Sequence, residues 1–192
     1  MSMRIITGTA RGKRIVTPTG LETRPTSEMV KEAVFSMIQF EIEGARMLDL
    51  FAGSGQMGLE ALSRGARSCV FVDNGKAAQR VLAENLENTG FLTVGRIVRS
   101  DAMTYLRNAA GGPFDIAFLD PPYQAGLLEK VLPLTAEAMT ETGVIICETT
   151  MDEVLPEAVG DFTLYRRYRY GKTQVVQYRI PEADEEAEGT EE

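Results

Sequence analysis

The chain has 192 residues, a length that suits one domain burying roughly 70% of the surface its unfolded form exposes, so neither disulfides nor a metal is needed to hold a core. It contains no histidine, which excludes Ser-His and Cys-His nucleophiles and His-bearing metal sites and leaves any chemistry to carboxylates, backbone groups or a cofactor. A net charge of −8 argues against an anionic partner only if it is evenly spread, and it is not: residues 182–192 hold seven acids and no base, leaving about −1 for the rest.

In chain order, Arg4–Gly8 and Lys13–Thr17 are short, β-branched and joined by Thr-Ala-Arg-Gly, which predicts a hairpin with a cationic turn. After Arg24-Pro25, Thr26 or Ser27 is placed to cap a helix over 27–40, with Glu28 in its first turn and Met29, Val30, Val34, Met37 and Ile38 as its apolar stripe. From Arg46 onward short apolar runs alternate with amphipathic stretches: MLDLF then 57–65, CVFVD then 76–88, GRIVRSD then 102–108, FDIAFLD then 125–139, and VIICE. That β-α-β rhythm predicts a mostly parallel sheet covered by helices on both faces, with ligands at the carboxyl ends of the strands. FTLYRRYRYG and TQVVQYRI, separated by Gly171-Lys172, predict a closing antiparallel pair. Cys69 and Cys147 lie inside apolar runs and read as buried, reduced thiols.

Two segments are basic. Residues 1–31 carry Arg4, Arg11, Lys13, Arg14, Arg24 and Lys31 against Glu22 and Glu28, and residues 162–180 carry Arg166, Arg167, Arg169, Lys172 and Arg179 with no acid. Such blocks read either as solvated faces or as the electrostatic footprint of a nucleic acid. The expected organisation is an N-terminal hairpin and helix over 1–44 packed on the domain, the main α/β domain over 45–180, and an acidic, disordered tail over 181–192. No apolar leader and no apolar run near 18 residues occur, so a cytoplasmic protein without a membrane partner is expected.

Asp49-Leu50-Phe51-Ala52-Gly53-Ser54-Gly55-Gln56-Met57-Gly58 ends one strand and opens a helix, and Asp73 closes the next strand 18 residues after Gly55. This satisfies the Gly-x-Gly-x-x-Gly dinucleotide pattern with its distant acid, so NAD is one reading and a plain strand-to-helix turn another. Asp73 takes ribose hydroxyls in either nucleoside reading. Asp49 discriminates: a carboxylate at the first strand's mouth repels a pyrophosphate but suits S-adenosylmethionine, which brings an ammonium and a sulfonium there.

Asp120-Pro121-Pro122-Tyr123 follows the apolar run FDIAFL and so stands at the fourth strand's carboxyl end. Two prolines there are ordinary punctuation, but punctuation asks for neither Asp before nor Tyr after. An exocyclic base amine is a poor nucleophile because its lone pair is delocalised into the ring. Hydrogen bonds from its N–H groups to the Asp120 carboxylate and the Pro121 carbonyl would draw the nitrogen toward tetrahedral geometry, with Pro122 stiffening the turn and Tyr123 stacking on a base withdrawn from its helix or loop. Most of the rate then comes from positioning, with the cofactor supplying the reactivity. Asp101 fits a contact to an adenine amine and equally a helix N-cap for Ala102 onward; both can hold. Glu148, at the end of VIICE, is a pocket wall or nothing more.

Asp49 to Gly58 and Asp120 to Tyr123, in that order and 67 positions apart from Gly53 to Asp120, resemble the class I amino-methyltransferases. With Arg24-Pro25-Thr26, Lys31-Glu32, Phe35, LDLFAGSGxxGLEALSRGA and Tyr170-Gly171-Lys172-Thr173, the resemblance is specifically to the 16S rRNA guanine-N2 methyltransferase family, from about residue 3 to 180. It implies a Rossmann-like sheet, S-adenosylmethionine as cofactor, a guanine of 16S rRNA or of the small ribosomal subunit as target, and no metal. The cofactor residues implied are Asp49, Phe51, Gly53, Gly55, Asp73, Asp101 and Ala102, and the catalytic ones Asp120, Pro121, Pro122 and Tyr123. Arg11, Lys13, Arg14 and Arg24 are the RNA-binding candidates, and a monomer is expected. The family commonly has Phe at the place of Tyr123 and Glu at that of Asp73, swaps that keep the chemistry. Competing readings are an adenine-N6 methyltransferase of DNA or RNA, for which a DNA-reading domain finds no room here, a noncatalytic rRNA-binding assembly factor, and an NAD-linked oxidoreductase.

Overall fold

One mixed sheet of eight strands organises the molecule, a computed structural model that describes residues 3–18, 27–108, 112–122 and 126–181. In chain order the elements are α1 (Glu28–Met37), β1 (Arg46–Asp49), α2 (Gln56–Ser63), β2 (Ser68–Asp73), α3 (Lys76–Thr89), β3 (Gly95–Arg99), α4 (Ala102–Arg107), β4 (Phe114–Leu119), α5 (Leu127–Glu137), β5 (Met139–Thr150), β6 (Ala158–Val159), β7 (Phe162–Tyr170) and β8 (Thr173–Arg179). The strand order is β3-β2-β1-β4-β5-β8-β7-β6, parallel from β3 through β5. β8 then inserts antiparallel beside β5, with β7 antiparallel outside it. Chain order reverses between β1 and β4, the switch point at which open α/β sheets bind ligands.

The strands read as apolar runs because both sheet faces are covered. On one face Met47, Phe71, Ile116 and Phe118 pack against α1, α2, α3 and the N-terminal segment through Phe35, Leu59, Leu82 and Ile5. On the other, Leu48, Val72, Ala117 and Leu119 meet α4 and α5 through Leu106, Leu128 and Leu132. Cys69 and Cys147 are buried free thiols, as expected.

The N-terminal pair differs from a regular hairpin. Its strands reduce to one bridge, Arg4 with Arg14, supported by bonds from Ile5 N to Lys13 O and from Ile15 N to Met3 O. The reason is that neighbouring amides bond to α2 instead: Ile6 N and Thr7 N donate to the two Glu60 carboxylate oxygens at 2.8 and 3.0 Å, and Ala10 N to Ser63 Oγ at 2.9 Å. Gly8, at φ +88°, passes so close that a Cβ there would stand 1.8 Å from Ser63 O.

Helix α1 ends at Met37, three residues short of expectation, with Ser27 as its N-cap accepting from Val30 N. Met29 does not join the stripe and is 69% exposed. Lys31 takes the place instead, since 27, 31, 34, 35 and 38 share a helix face. It is fully buried, its ammonium donating to Arg4 O at 2.7 Å and standing 3.7 Å from Glu60. Lys31 is therefore not part of a basic surface. Burial lowers its pKa, and the Glu60 charge opposes that. β5 runs on to Thr150, so Glu148 lies inside the strand and not at its end. The two-residue β6 was not expected. The acidic tail beyond Pro181 lies outside the described residues.

Candidate functional site

Three strand ends converge at the switch point. Asp49 pairs in register with Phe71 on one side and Phe118 on the other. Asp73 and Asp120 each stand two residues further along those neighbours, level with Phe51 and separated by two strand spacings, roughly 10 Å. By the two-residue alternation of strands, Asp49 and Asp73 continue the sheet face that carries Met47 and Phe71, the side covered by α2, and Asp120 follows β4 directly.

Asp49 is 3% exposed and its Oδ2 accepts from Gly58 N at 3.1 Å. Burial, with the Asp73 charge adding, pushes its carboxyl up to about 7, and only the Gly58 hydrogen bond acts against them. Gly58 lets α2 come this close: a Cβ there would stand 2.3 Å from Phe71 Cε1 and 2.5 Å from Cys69 Sγ. The glycine loop is built from positive-φ residues, Gly53 at +55° and Gly55 at +78°, conformations that suit glycine. A Cβ on Gly55 would strike Leu82, whereas the space beside Gly53 is open.

Asp73 holds this loop. Its Oδ2 accepts from Gly53 N at 2.9 Å and its Oδ1 from Gly75 N at 2.8 Å. An ionised carboxylate has about four acceptor positions, so two remain for a diol. Asp101 is the N-cap of α4, accepting from Thr104 N at 2.9 Å, and its pKa is lowered by those Thr104 hydrogen bonds. Phe51 is half-buried against the α4 and α5 core, and Ala102 is buried there. The donor set fits S-adenosylmethionine: a buried carboxylate for an ammonium, an open glycine turn, and carboxylates at the ends of β2 and β3 for a nucleoside.

Asp120 and Pro121 are half-buried beyond β4, and Pro122 is exposed. Tyr123 and Arg24 lie outside the described residues. Glu148 is 8% exposed and level with Asp120, because Cys147 pairs with Leu119.

The hairpin bases stand apart from these groups. The hairpin lies along α2 with its open end at the glycine loop, where Ser54 Oγ meets Met3 Sδ, and its turn at Ser63. Eight residues of α2 span about 12 Å, so Arg11 and Lys13 sit roughly that far from the loop. Lys13 Nζ donates to Asn88 O at 2.9 Å and Thr89 O at 3.4 Å, at the carboxyl end of α3. Arg11 lines a cleft with Arg4, Glu28 and Glu32. Arg14 is exposed.

Two supporting groups escaped the sequence reading. Asn85, fully buried on α3, donates to Ser54 O and Val16 O at 2.9 Å and accepts from Val16 N at 2.8 Å, tying the glycine loop to the hairpin. Glu60, also fully buried, joins Lys31, Arg64 and the hairpin amides. A polar residue at an apolar-stripe position was the available signal for Lys31; Asn85 carries none, because its partners are 31 and 69 residues away.

Comparison with known proteins gives concordant matches. The family model described as conserved hypothetical protein 95 matches residues 3–179. Bacillus subtilis YlbH is 40% identical over 181 residues, 92% of this chain and 98% of that one. Ribosomal RNA small subunit methyltransferase D of Escherichia coli is 34% identical over 190 residues, 97% of this chain and 92% of that one. Among solved structures, yhhF from Escherichia coli superposes with a TM-score of 0.83 at 34% identity, covering 94% of this chain and 100% of that one. The fold is that of the class I methyltransferases.

Proposed function

The chain belongs to the conserved hypothetical protein 95 family, and from that membership and the geometry of the strand ends we propose that it transfers a methyl group from S-adenosylmethionine to the exocyclic N2 amine of a guanine in 16S rRNA. The observation that carries this reading is the buried Asp49 carboxylate beside an open glycine turn, with Asp120 two residues further along on the neighbouring strand's line. The named rRNA methyltransferase that matches 97% of this chain supports the substrate class.

Bound S-adenosylmethionine supplies a methyl group already activated on a sulfonium. Asp49 holds the ammonium end, Asp73 the ribose hydroxyls and Asp101 the adenine amine, while Phe51 and Ala102 wall the pocket. Asp120 and the Pro121 carbonyl accept the guanine N–H groups and aim the nitrogen lone pair at the methyl carbon. Asp120 or solvent would then take the proton that the target nitrogen sheds, which leaves only after the nitrogen has gained the methyl group and become cationic. Deprotonation before attack is implausible because a neutral aryl amine has a pKa far above that of a carboxylate. Tyr123 is assigned the stacking role from sequence alone, and Arg11, Lys13, Arg14 and Arg24 the RNA contacts. Placing reactants in line supplies most of the acceleration.

Single-turnover methyl transfer tests the assignment of Asp120. Asp120→Asn keeps one acceptor and is expected to lower the rate while leaving activity detectable. Asp120→Ala is expected to cost on the order of 10²-fold or more, with cofactor binding intact. Near-normal transfer by Asp120→Ala would remove Asp-Pro-Pro-Tyr from the mechanism.

A further inference from the structure

Strand β7 has an exposed, cationic and aromatic composition that core packing does not explain. Arg166, Arg167, Arg169 and the turn residue Lys172 are all exposed, and Tyr165 is 42% exposed. The segment 162–180 holds five basic residues and no acid, in a chain whose net charge is −8. Its outer edge is largely open: among the described residues β6 pairs only with Phe162 and Thr163. Cationic edges can serve simply to prevent edge-to-edge aggregation, but two features here exceed that need.

The first is position. Tyr168 pairs with Val175, Val175 with Glu148, and Glu148 is level with Asp120. Tyr168 therefore stands three strand spacings, roughly 14 Å, from Asp120. Because β7 runs antiparallel to β8, which runs antiparallel to β5, the Gly171-Lys172 turn projects at the same sheet end as Asp49, Asp73 and Asp120. The hairpin turn that holds Arg11 and Lys13 is at the opposite end of α2.

The second is organisation. The Arg166 guanidinium lies over the Tyr165 ring at 4.9 Å, with the Arg179 guanidinium at 5.8 Å from it, and Arg166 reaches Tyr168 Oη at 3.5 Å. Arg179 is fixed in turn by Glu41 at 2.8 Å. The acid facing Arg167 is Glu157, 3.7 Å away and 82% exposed, a pair that water screens. Guanidinium groups interleaved with tyrosine faces form a surface that pairs phosphates and stacks unpaired bases.

We infer that the open edge of β7 with the Gly171-Lys172 turn is the track along which the RNA flanking the target base is held, through phosphates on Arg166 and Lys172 and stacking on Tyr168 at the sheet face of Val175, with Arg169 meeting a phosphate from the opposite face of the same edge. This rests on the proposed rRNA methyl transfer and adds where its substrate lies. It adds a second contact area, across β5 and β8 at the sheet edge, to the bases of the N-terminal hairpin.

The test is binding of a small-subunit rRNA fragment to the full chain, titrated with salt, for a variant combining Arg166→Ala, Arg169→Ala and Lys172→Ala. Affinity is expected to fall at least tenfold and the log–log salt slope to become shallower by about 2, as the loss of three single-strand phosphate contacts requires. S-adenosylhomocysteine affinity measured in parallel should not move. Arg166→Lys with Arg169→Lys keeps the charges and should retain most of the affinity. Should the triple variant fail to fold, the single exposed-turn change Lys172→Glu is read instead, with at least a threefold loss expected. Unchanged affinity and slope in a folded variant would make β7 a solvated edge and overturn the inference while leaving methyl transfer standing. If the unaltered chain methylates no rRNA, the proposed function fails and the track falls with it.

Discussion

Asp49→Asn is expected to stabilise the ligand-free protein and to impair its cofactor binding. Burial pushes the carboxyl from an ordinary 3.8 up to about 7. Three pKa units at about 1.4 kcal/mol each amount to roughly 4 kcal/mol by which the charged form is disfavoured in the folded chain. The folded state holds this proton more tightly than the unfolded one, so stability is lost as pH rises from about 4 through about 7. Asparagine keeps an acceptor for Gly58 N and does not titrate, but its amide donors need partners in a buried place, at about 1–3 kcal/mol. The net expectation at pH 8 is a variant about 1–3 kcal/mol more stable, with Tm higher by roughly 3–10 °C and the gain shrinking toward pH 5. Binding an ammonium next to Asp49 requires the carboxylate, so S-adenosylhomocysteine affinity in the unaltered chain should weaken below pH 7, approaching tenfold per unit. In Asp49→Asn it should be weak and nearly flat. Thermal melting and calorimetric titration between pH 5.5 and 8.5 measure both. Wild-type affinity in the variant, or a ligand affinity of the unaltered chain that does not change with pH, would refute the reasoning.

Three further outcomes are expected. Lys31→Ala leaves the fully buried Glu60 with Arg64 as its remaining charged partner and should cost about 3–5 kcal/mol in denaturant unfolding, whereas Met29→Ala on the exposed face of the same helix should cost under about 0.5 kcal/mol. Gly58→Ala, whose Cβ would overlap the Phe71 ring, should destabilise by about 1–3 kcal/mol and weaken S-adenosylhomocysteine binding by displacing α2 from Asp49. Replacing Arg11, Lys13 and Arg14 by alanine should weaken rRNA binding and flatten its salt dependence with cofactor affinity intact; unchanged binding would return the hairpin turn to the status of a solvated surface.

The parallel half of the sheet was legible because strands buried on both faces read as unbroken apolar runs, and each ends in a residue of distinct chemistry. Asp49, Asp73 and Asp120 could thus be placed at strand ends, and the register of β1 with β2 and β4 brings those ends together. The N-terminal segment was harder. Its amides bond to Glu60 and Ser63, more than 50 residues away, so local β-propensity overstated its strands. Lys31 reads as a surface base by its charge although it stands on an apolar stripe, and in the fold it is solvated by Glu60 and Arg4 O in place of water. Lys13 likewise spends its ammonium on the carboxyl end of α3. The basic run of β7 was visible in sequence, but its relation to Asp120 needs the antiparallel insertion of β8, which no local pattern reveals.

The most direct test of the central claim is incubation of the purified chain with S-adenosylmethionine carrying a labelled methyl group and with small-subunit rRNA, naked and within ribosomal subunits, followed by digestion to nucleosides. The account predicts label in N2-methylguanosine, lost with Asp120→Ala. Label in N6-methyladenosine, or no transfer to either form of the RNA by a chain that binds S-adenosylhomocysteine, would contradict it.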